Sequence, residues 1–249
     1  MEKPKWTIGT VNWKSIDFVE YQLKYFHEFS DDFEFLVCDN ESNIETQKFK
    51  DLKEKYPKLK LINQHWKIAS WSAHGIGLNQ CIKSAEGKYI LLMDPDFFWM
   101  KKDILSFLEY YFDQGYHAIG ADYMHTTTSF PMIWGGSYVT NEIKDLDLLT
   151  RNPRCESCKN WIHDRDYDTG WQIRIRLSNK PHYSFRQIQN QVPNFGRYND
   201  RESETYVYDT KVIAHHLRSG SQIEEDYKEE KIKEIREKYT EWMWSQLYD

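Results

Sequence analysis

Lys88-Tyr89-Ile90-Leu91-Leu92-Met93-Asp94-Pro95-Asp96 is the stretch on which the reading of this chain turns. The nearly all-apolar run from Tyr89 to Met93 predicts a strand buried on both faces, as inside a parallel sheet. Two carboxylates, Asp94 and Asp96, then stand at its carboxyl end. There they can hold a hard divalent cation, and that cation can neutralise a diphosphate. A turn that uses the local preferences of Asp and Pro accounts for the same residues.

Upstream, strands and helices alternate. Trp6–Val11, Phe33–Cys38 and Leu59–Ile62 predict strands, and residues 15–29, 43–56 and 72–86 predict helices. The first helix shows Ile16, Val19, Leu23 and Phe26 at helical spacing. Pro57 and Gly87 close the other two. Asp103 is expected to cap a further helix over about 103–114. This alternation implies an α/β fold with a mostly parallel sheet and helices on both faces. Ligands bind such sheets at the carboxyl ends of the strands. Thr10-Val11-Asn12, Asp39-Asn40-Glu41-Ser42 and Asp94-Pro95-Asp96 each follow or end a strand, so the fold logic brings all three to one edge.

Downstream the pattern changes. Residues 116–120, 132–139 (interrupted by Gly135-Gly136) and 210–217 predict strands, and 141–149 and 166–178 predict helices. Residues 187–209, rich in Asn, Gln, Pro and Gly, predict a long irregular connection. Beyond Ser221 a charged helix carries Ile232, Ile235, Tyr239, Trp242 and Leu247 on one side and is expected to dock on its own domain.

Composition narrows the function classes. The 249 residues suffice for one substantial core, and a net charge of −6 argues against nucleic acid as the main partner. A mean hydropathy of −0.80 accompanies the lack of any apolar run near the roughly 18–20 residues of a membrane span. The first residues have no apolar stretch of the secretory kind, so the chain reads as soluble and cytoplasmic. Peripheral membrane contact through Trp242-Met243-Trp244 gains little support from the mixed charge around it. Ten Trp and 17 Tyr suit a core and equally a sugar- or base-binding cleft. Cys38 and Cys81 read as buried thiols. Cys155 and Cys158 form a CxxC, for which a zinc site needs two more ligands and nearby His163 would supply only one, so reduced thiols are favoured over structural zinc.

Ser72–Asp96 resembles the GT-A-fold glycosyltransferases, particularly family 2, in which a helix ending in A-x-G-x-Y-I leads into an apolar strand and then DxD. Ala85-Glu86-Gly87-Lys88-Tyr89-Ile90 carries that pattern. Val37-Cys38-Asp39-Asn40-Glu41-Ser42 looks like the family's second-strand element, and Thr7–Asn12 looks like its opening strand. The resemblance covers residues 6–100 well, is looser to about 220 and does not reach the tail.

The resemblance implies a GT-A domain over residues 1–221, with a nucleotide-binding half (1–100), an acceptor half (101–221) and a separate helix over 222–249. It implies metal-dependent, inverting transfer of a sugar from a nucleotide-diphosphate donor to an acceptor hydroxyl of a glycan. Thr10 and Asn12 would line the nucleotide pocket, and Asp39 would accept a hydrogen bond from a uracil-like base. His74 would lie near the nucleotide or its diphosphate, and Asp94 would reach the ribose and metal region. Asp96 would ligate Mn²⁺ or Mg²⁺ directly. Val212-Ile213-Ala214-His215-His216 looks like the late strand that delivers a histidine to the metal. Strand alternation lets only one of His215 and His216 face the site, and the motif position favours His216. An imidazole beside carboxylates suits Mn²⁺ somewhat better than Mg²⁺.

Trp134-Gly135-Gly136 would shape the donor-sugar pocket, although a strand bulge packed in the core explains the same residues. Trp161, His163 and Trp171 are weaker candidates for the acceptor side. Asp168, in Tyr167-Asp168-Thr169-Gly170, takes the position of the catalytic base. Tyr167 replaces the acidic residue usual before it, and Asp164, Asp166 and a plain helix-capping role remain alternatives. A nucleotidyltransferase and a catalytically degenerate GT-A scaffold are the rival readings. The first would want a Gly-rich basic loop after the opening strand, which Gly9–Lys14 does not provide.

Overall fold

The apolar run forms β4 (Tyr89–Met93), every residue of it buried. A computed structural model describes residues 3–40, 46–63, 70–122, 131–139, 181–188, 192–193, 195, 203–217 and 229–248. Parallel pairing joins β4 to β1 (Trp6–Asn12), β1 to β2 (Phe33–Asp39) and β2 to β3 (Leu59–Asn63). On its other side β4 runs antiparallel to β7 (Pro131–Val139), which pairs with β6 (Ala118–Asp122). The described strands continue through β8 (His182–Ile188), β9 (Glu204–Tyr208), β10 (Lys211–His216) and β5 (Phe97–Trp99).

Side-chain alternation divides the core in two. Trp6, Ile8, Phe35, Val37, Leu91 and Met93 point to one face, packed under α1 (Ile16–Phe29), α2 (Thr46–Lys55) and α4 (Ile104–Asp113). Val11, Leu36, Cys38, Ile90 and Leu92 point to the other, under α3 (Ser70–Ser84). A strand buried on both faces needs apolar side chains at every position, which is why β4 shows no polar alternation. Gly77 lets α3 sit close: a Cβ there would come within 2.6 Å of a Val11 methyl.

The last helix, α5 (Glu229–Gln246), docks on α1. Trp244 meets Tyr21 edge-on at 5.4 Å, Arg236 lies over the Phe18 ring, and Tyr239 Oη accepts the Phe195 N–H at 3.1 Å. Met243 takes the buried place expected of Trp242, which stays half-buried against His215.

Two expectations need correction, and one strand had no counterpart among them. The stretch 187–209 is not wholly irregular: β8 runs to Ile188 and β9 begins at Glu204. The three-residue β5, directly after Asp96, was not foreseen, because three residues are too few to show a period. Asp103 stands at the N-cap of α4 but makes no side-chain cap bond; its carboxylate pairs with Lys101 at 2.7 Å. The helices expected over 141–149 and 166–178 lie outside the described residues.

Candidate metal centre

Asp94, Pro95 and Asp96 form a tight turn, closed by the Phe97 N–H donating to Asp94 O at 3.1 Å. Proline presets the backbone for the second position of such a turn. The turn reading and the ligand reading of these residues are therefore compatible. Gln22 holds the turn from behind: its buried Nε2 lies 2.8, 3.1 and 3.0 Å from the carbonyls of Asp94, Pro95 and Phe97. Nothing in the helical pattern of α1 marks Gln22 out, and only the packing of α1 beneath the turn reveals it.

Strand β5 does the decisive positioning. It leaves Asp96 and pairs antiparallel with β10, aligning Phe97 with His216 and Trp99 with Ala214. The Leu217 N–H donates to Asp96 O at 3.0 Å. His216 Nε2 consequently lies 3.3 Å from Asp96 Oδ1 and 3.4 Å from Asp94 Oδ2. One atom from each of Asp94, Asp96 and His216 falls within 4.8 Å of the others, and all three residues are buried. His215 faces away and bonds Thr205 Oγ1 through Nδ1 at 3.0 Å.

His74, reaching in from α3, places Nε2 2.9 Å from Asp94 Oδ1. Burial pushes the Asp94 carboxyl up, but His74 and His216 outweigh it and hold the group below its usual range. Burial likewise depresses His216, yet Asp96, Asp94 and Glu204 together raise it well above an ordinary imidazole. Glu204 is a site residue that the sequence reading missed: its Oε2 lies 3.2 Å from His216 Nδ1. The polar Glu204 heading an aromatic alternation with Tyr206 and Tyr208 was the available signal.

Carboxylates and an imidazole form a donor set suited to a divalent cation such as Mn²⁺. The buried Asp94 Oδ2, with no aligned hydrogen-bond donor among the described residues, has the unmet demand that such an ion would satisfy. The residues present fit the group.

The remaining candidates are more scattered. Asn12 is fully buried: its Nδ2 donates to Asp39 Oδ1 at 2.8 Å, and its Oδ1 accepts from Ser15 N at 3.1 Å. It thus clips the ends of β1 and β2 to the start of α1. Thr10 is fully buried as well, and its hydroxyl has no hydrogen-bond partner among the described residues. Trp134, Gly135 and Gly136 lie on β7, and Gly136 pairs with Leu92 of β4. Asp168, its rivals Asp164 and Asp166, the pair Cys155 and Cys158, and Trp161, His163 and Trp171 lie outside the described residues.

Comparisons with known proteins bear on the fold and the family. No curated protein sequence matches the chain. The structure of S. aureus TarS 1-349 in complex with UDP-GlcNAc superposes with a TM-score of 0.51 at 13% identity, covering 97% of this chain and 73% of that one. The crystal structure of S. aureus TarS 1-349 gives a TM-score of 0.46 at 17% identity over 58% of this chain; by that match the chain spans about half (49%) of TarS 1-349. Glucosyl-3-phosphoglycerate synthase from Mycobacterium tuberculosis, in complex with Mn²⁺, UDP and glucosyl-3-phosphoglycerate, gives 0.43 at 10% identity over 56% of this chain and 58% of that one. The family model described as glycosyl transferase family 2 matches residues 14–171, more than half of the chain. With its central parallel strands, the acidic turn at their carboxyl edge and that match, the chain belongs to glycosyl transferase family 2 and has the GT-A fold.

Proposed function

We propose that the chain moves a sugar from a nucleotide-diphosphate donor, with UDP favoured, to a hydroxyl of a glycan acceptor, with inversion. The observation that carries this reading is the buried group Asp94, Asp96 and His216, whose ligand atoms lie within 4.8 Å of one another at the strand edge. These three residues would hold Mn²⁺ or Mg²⁺. A divalent ion bound there supplies the positive charge that stabilises a diphosphate leaving group.

The chain's own residues do the rest. Asp39, at the end of β2, is the acceptor for the base, and the Asn12 bond orients its carboxylate. His74 braces Asp94 from α3, and its role is to stand near the nucleotide or its diphosphate. Thr10, Asn12 and the Trp134-Gly135-Gly136 segment belong to the donor pocket, and Asp168 takes the proton from the acceptor hydroxyl. Residues 1–100 are the donor half and 101–221 the acceptor half of one GT-A domain, with 222–249 a docked helix. The UDP-GlcNAc held by S. aureus TarS supports a uridine donor. No described helix is long and apolar enough to cross a membrane. A cytoplasmic location belongs to the same reading and suits the free thiols Cys38 and Cys81.

The test pairs binding with turnover. Thermal shifts with UDP and UDP-sugars, with and without Mn²⁺, should show a metal-dependent uridine preference in the parent chain. Asp96→Ala should lose that shift together with metal-dependent hydrolysis of the donor. Equal turnover in both chains rejects the metal assignment, and no shift with any nucleotide favours a carbohydrate-binding scaffold.

A further inference from the structure

Glu204 stands directly opposite His216 in the antiparallel register of β9 and β10. Side chains so aligned share one face of the sheet, close enough to touch. The contact is Nδ1 to Oε2 at 3.2 Å, and both residues are buried. Tyr206, two residues along the same face, donates its hydroxyl to the same Oε2. On the opposite flank β5 sets Phe97 beside His216, with ring centroids 5.9 Å apart. The imidazole is therefore held in a slot between a carboxylate and an aromatic ring.

We propose that Glu204 is a positioning residue of the metal centre, acting through His216. A carboxylate can only accept, so the proton of that contact belongs to Nδ1. Nδ1–H facing Glu204 fixes the tautomer and leaves Nε2 as the ligand atom, aimed at Asp94 and Asp96. A buried carboxylate is costly to desolvate unless it is hydrogen-bonded, and the bonds from His216 and Tyr206 offset that cost. Partners that orient metal-bound imidazoles in this way are worth about 10–100-fold in metal affinity. The inference rests on the metal reading given above.

The experiment is a Mn²⁺ titration of the full chain, followed by the electron paramagnetic resonance of the free ion. The parent chain, Glu204→Ala, Glu204→Gln, His216→Ala and the Glu204→Ala/His216→Ala double variant are compared. Glu204→Ala should bind about 10–100-fold more weakly. Glu204→Gln, whose amide oxygen still accepts from Nδ1–H, should recover part of that loss and guards against a folding artefact. In the His216→Ala background, Glu204→Ala should add no further loss, because its effect travels through the ring. Parent-like binding by Glu204→Ala overturns the proposal, as does an equal loss with and without His216. Failure of the parent chain to bind Mn²⁺ overturns the metal reading itself, and this proposal with it.

Discussion

His74 Nε2 lies 2.9 Å from Asp94 Oδ1, tying the first half of α3 to the acidic turn at the end of β4. An outer partner that orients a ligating carboxylate contributes to ion affinity without touching the ion. His74→Ala is therefore expected to weaken Mn²⁺ binding about tenfold, read by calorimetric titration. The thermal midpoint should move little, because the side chain remains 22% exposed. An unchanged affinity would remove His74 from the site.

Gln22 secures the same turn from inside the core. Gln22→Leu keeps much of the volume but removes the amide donor that the three carbonyls share, at about 1–3 kcal/mol in urea unfolding. Gln22→Glu should be worse, since it sets a carboxylate against three carbonyl oxygens. If Glu is tolerated better than Leu, the clamp is not as described.

The acidic surroundings of His216 make ion binding depend on pH. With its imidazole held well above the usual 6.5, His216 carries a proton at neutral pH that Nε2 must lose to accept a metal. Mn²⁺ affinity should rise by up to about tenfold per pH unit as that proton becomes easier to remove. Stability of the metal-free protein runs the other way. A folded value above the unfolded one gives stability that is complete below about pH 6.5 and is lost as pH rises through the folded value. Melting curves with chelator and with Mn²⁺ should diverge as pH increases; parallel curves would contradict this.

Its neighbour His215 has the opposite sign. Burial pushes that imidazole down to about 4, so the unfolded chain binds the proton first. Its contribution is present above about pH 6.5 and is lost as pH falls toward 4, about 3 kcal/mol in all. Chemical denaturation of His215→Asn and the parent across that interval should show a shallower acid loss in the variant. Identical slopes would place the acid sensitivity elsewhere.

Local chemistry marked the first half of the fold well. Helical spacing in α1, apolar runs in β2 and β4, and the breaks at Pro57 and Gly87 are written in near neighbours, which act over a few residues. The acidic turn was legible for the same reason, and strand alternation already implied that His215 and His216 would part company.

What only the tertiary structure decided depends on residues far apart in the chain. β5 is too short to announce itself, yet its pairing with β10 carries His216 to Asp94 and Asp96. β9 was hidden in a stretch of turn-forming residues, and its register alone sets Glu204 against His216. Gln22 and His74 look like ordinary helix positions until α1 and α3 pack on the sheet. Sequence by itself determined which segments become strands and helices and where an acidic turn ends the central one. Cross-strand register and helix docking, which no local pattern encodes, determined which side chains surround that turn.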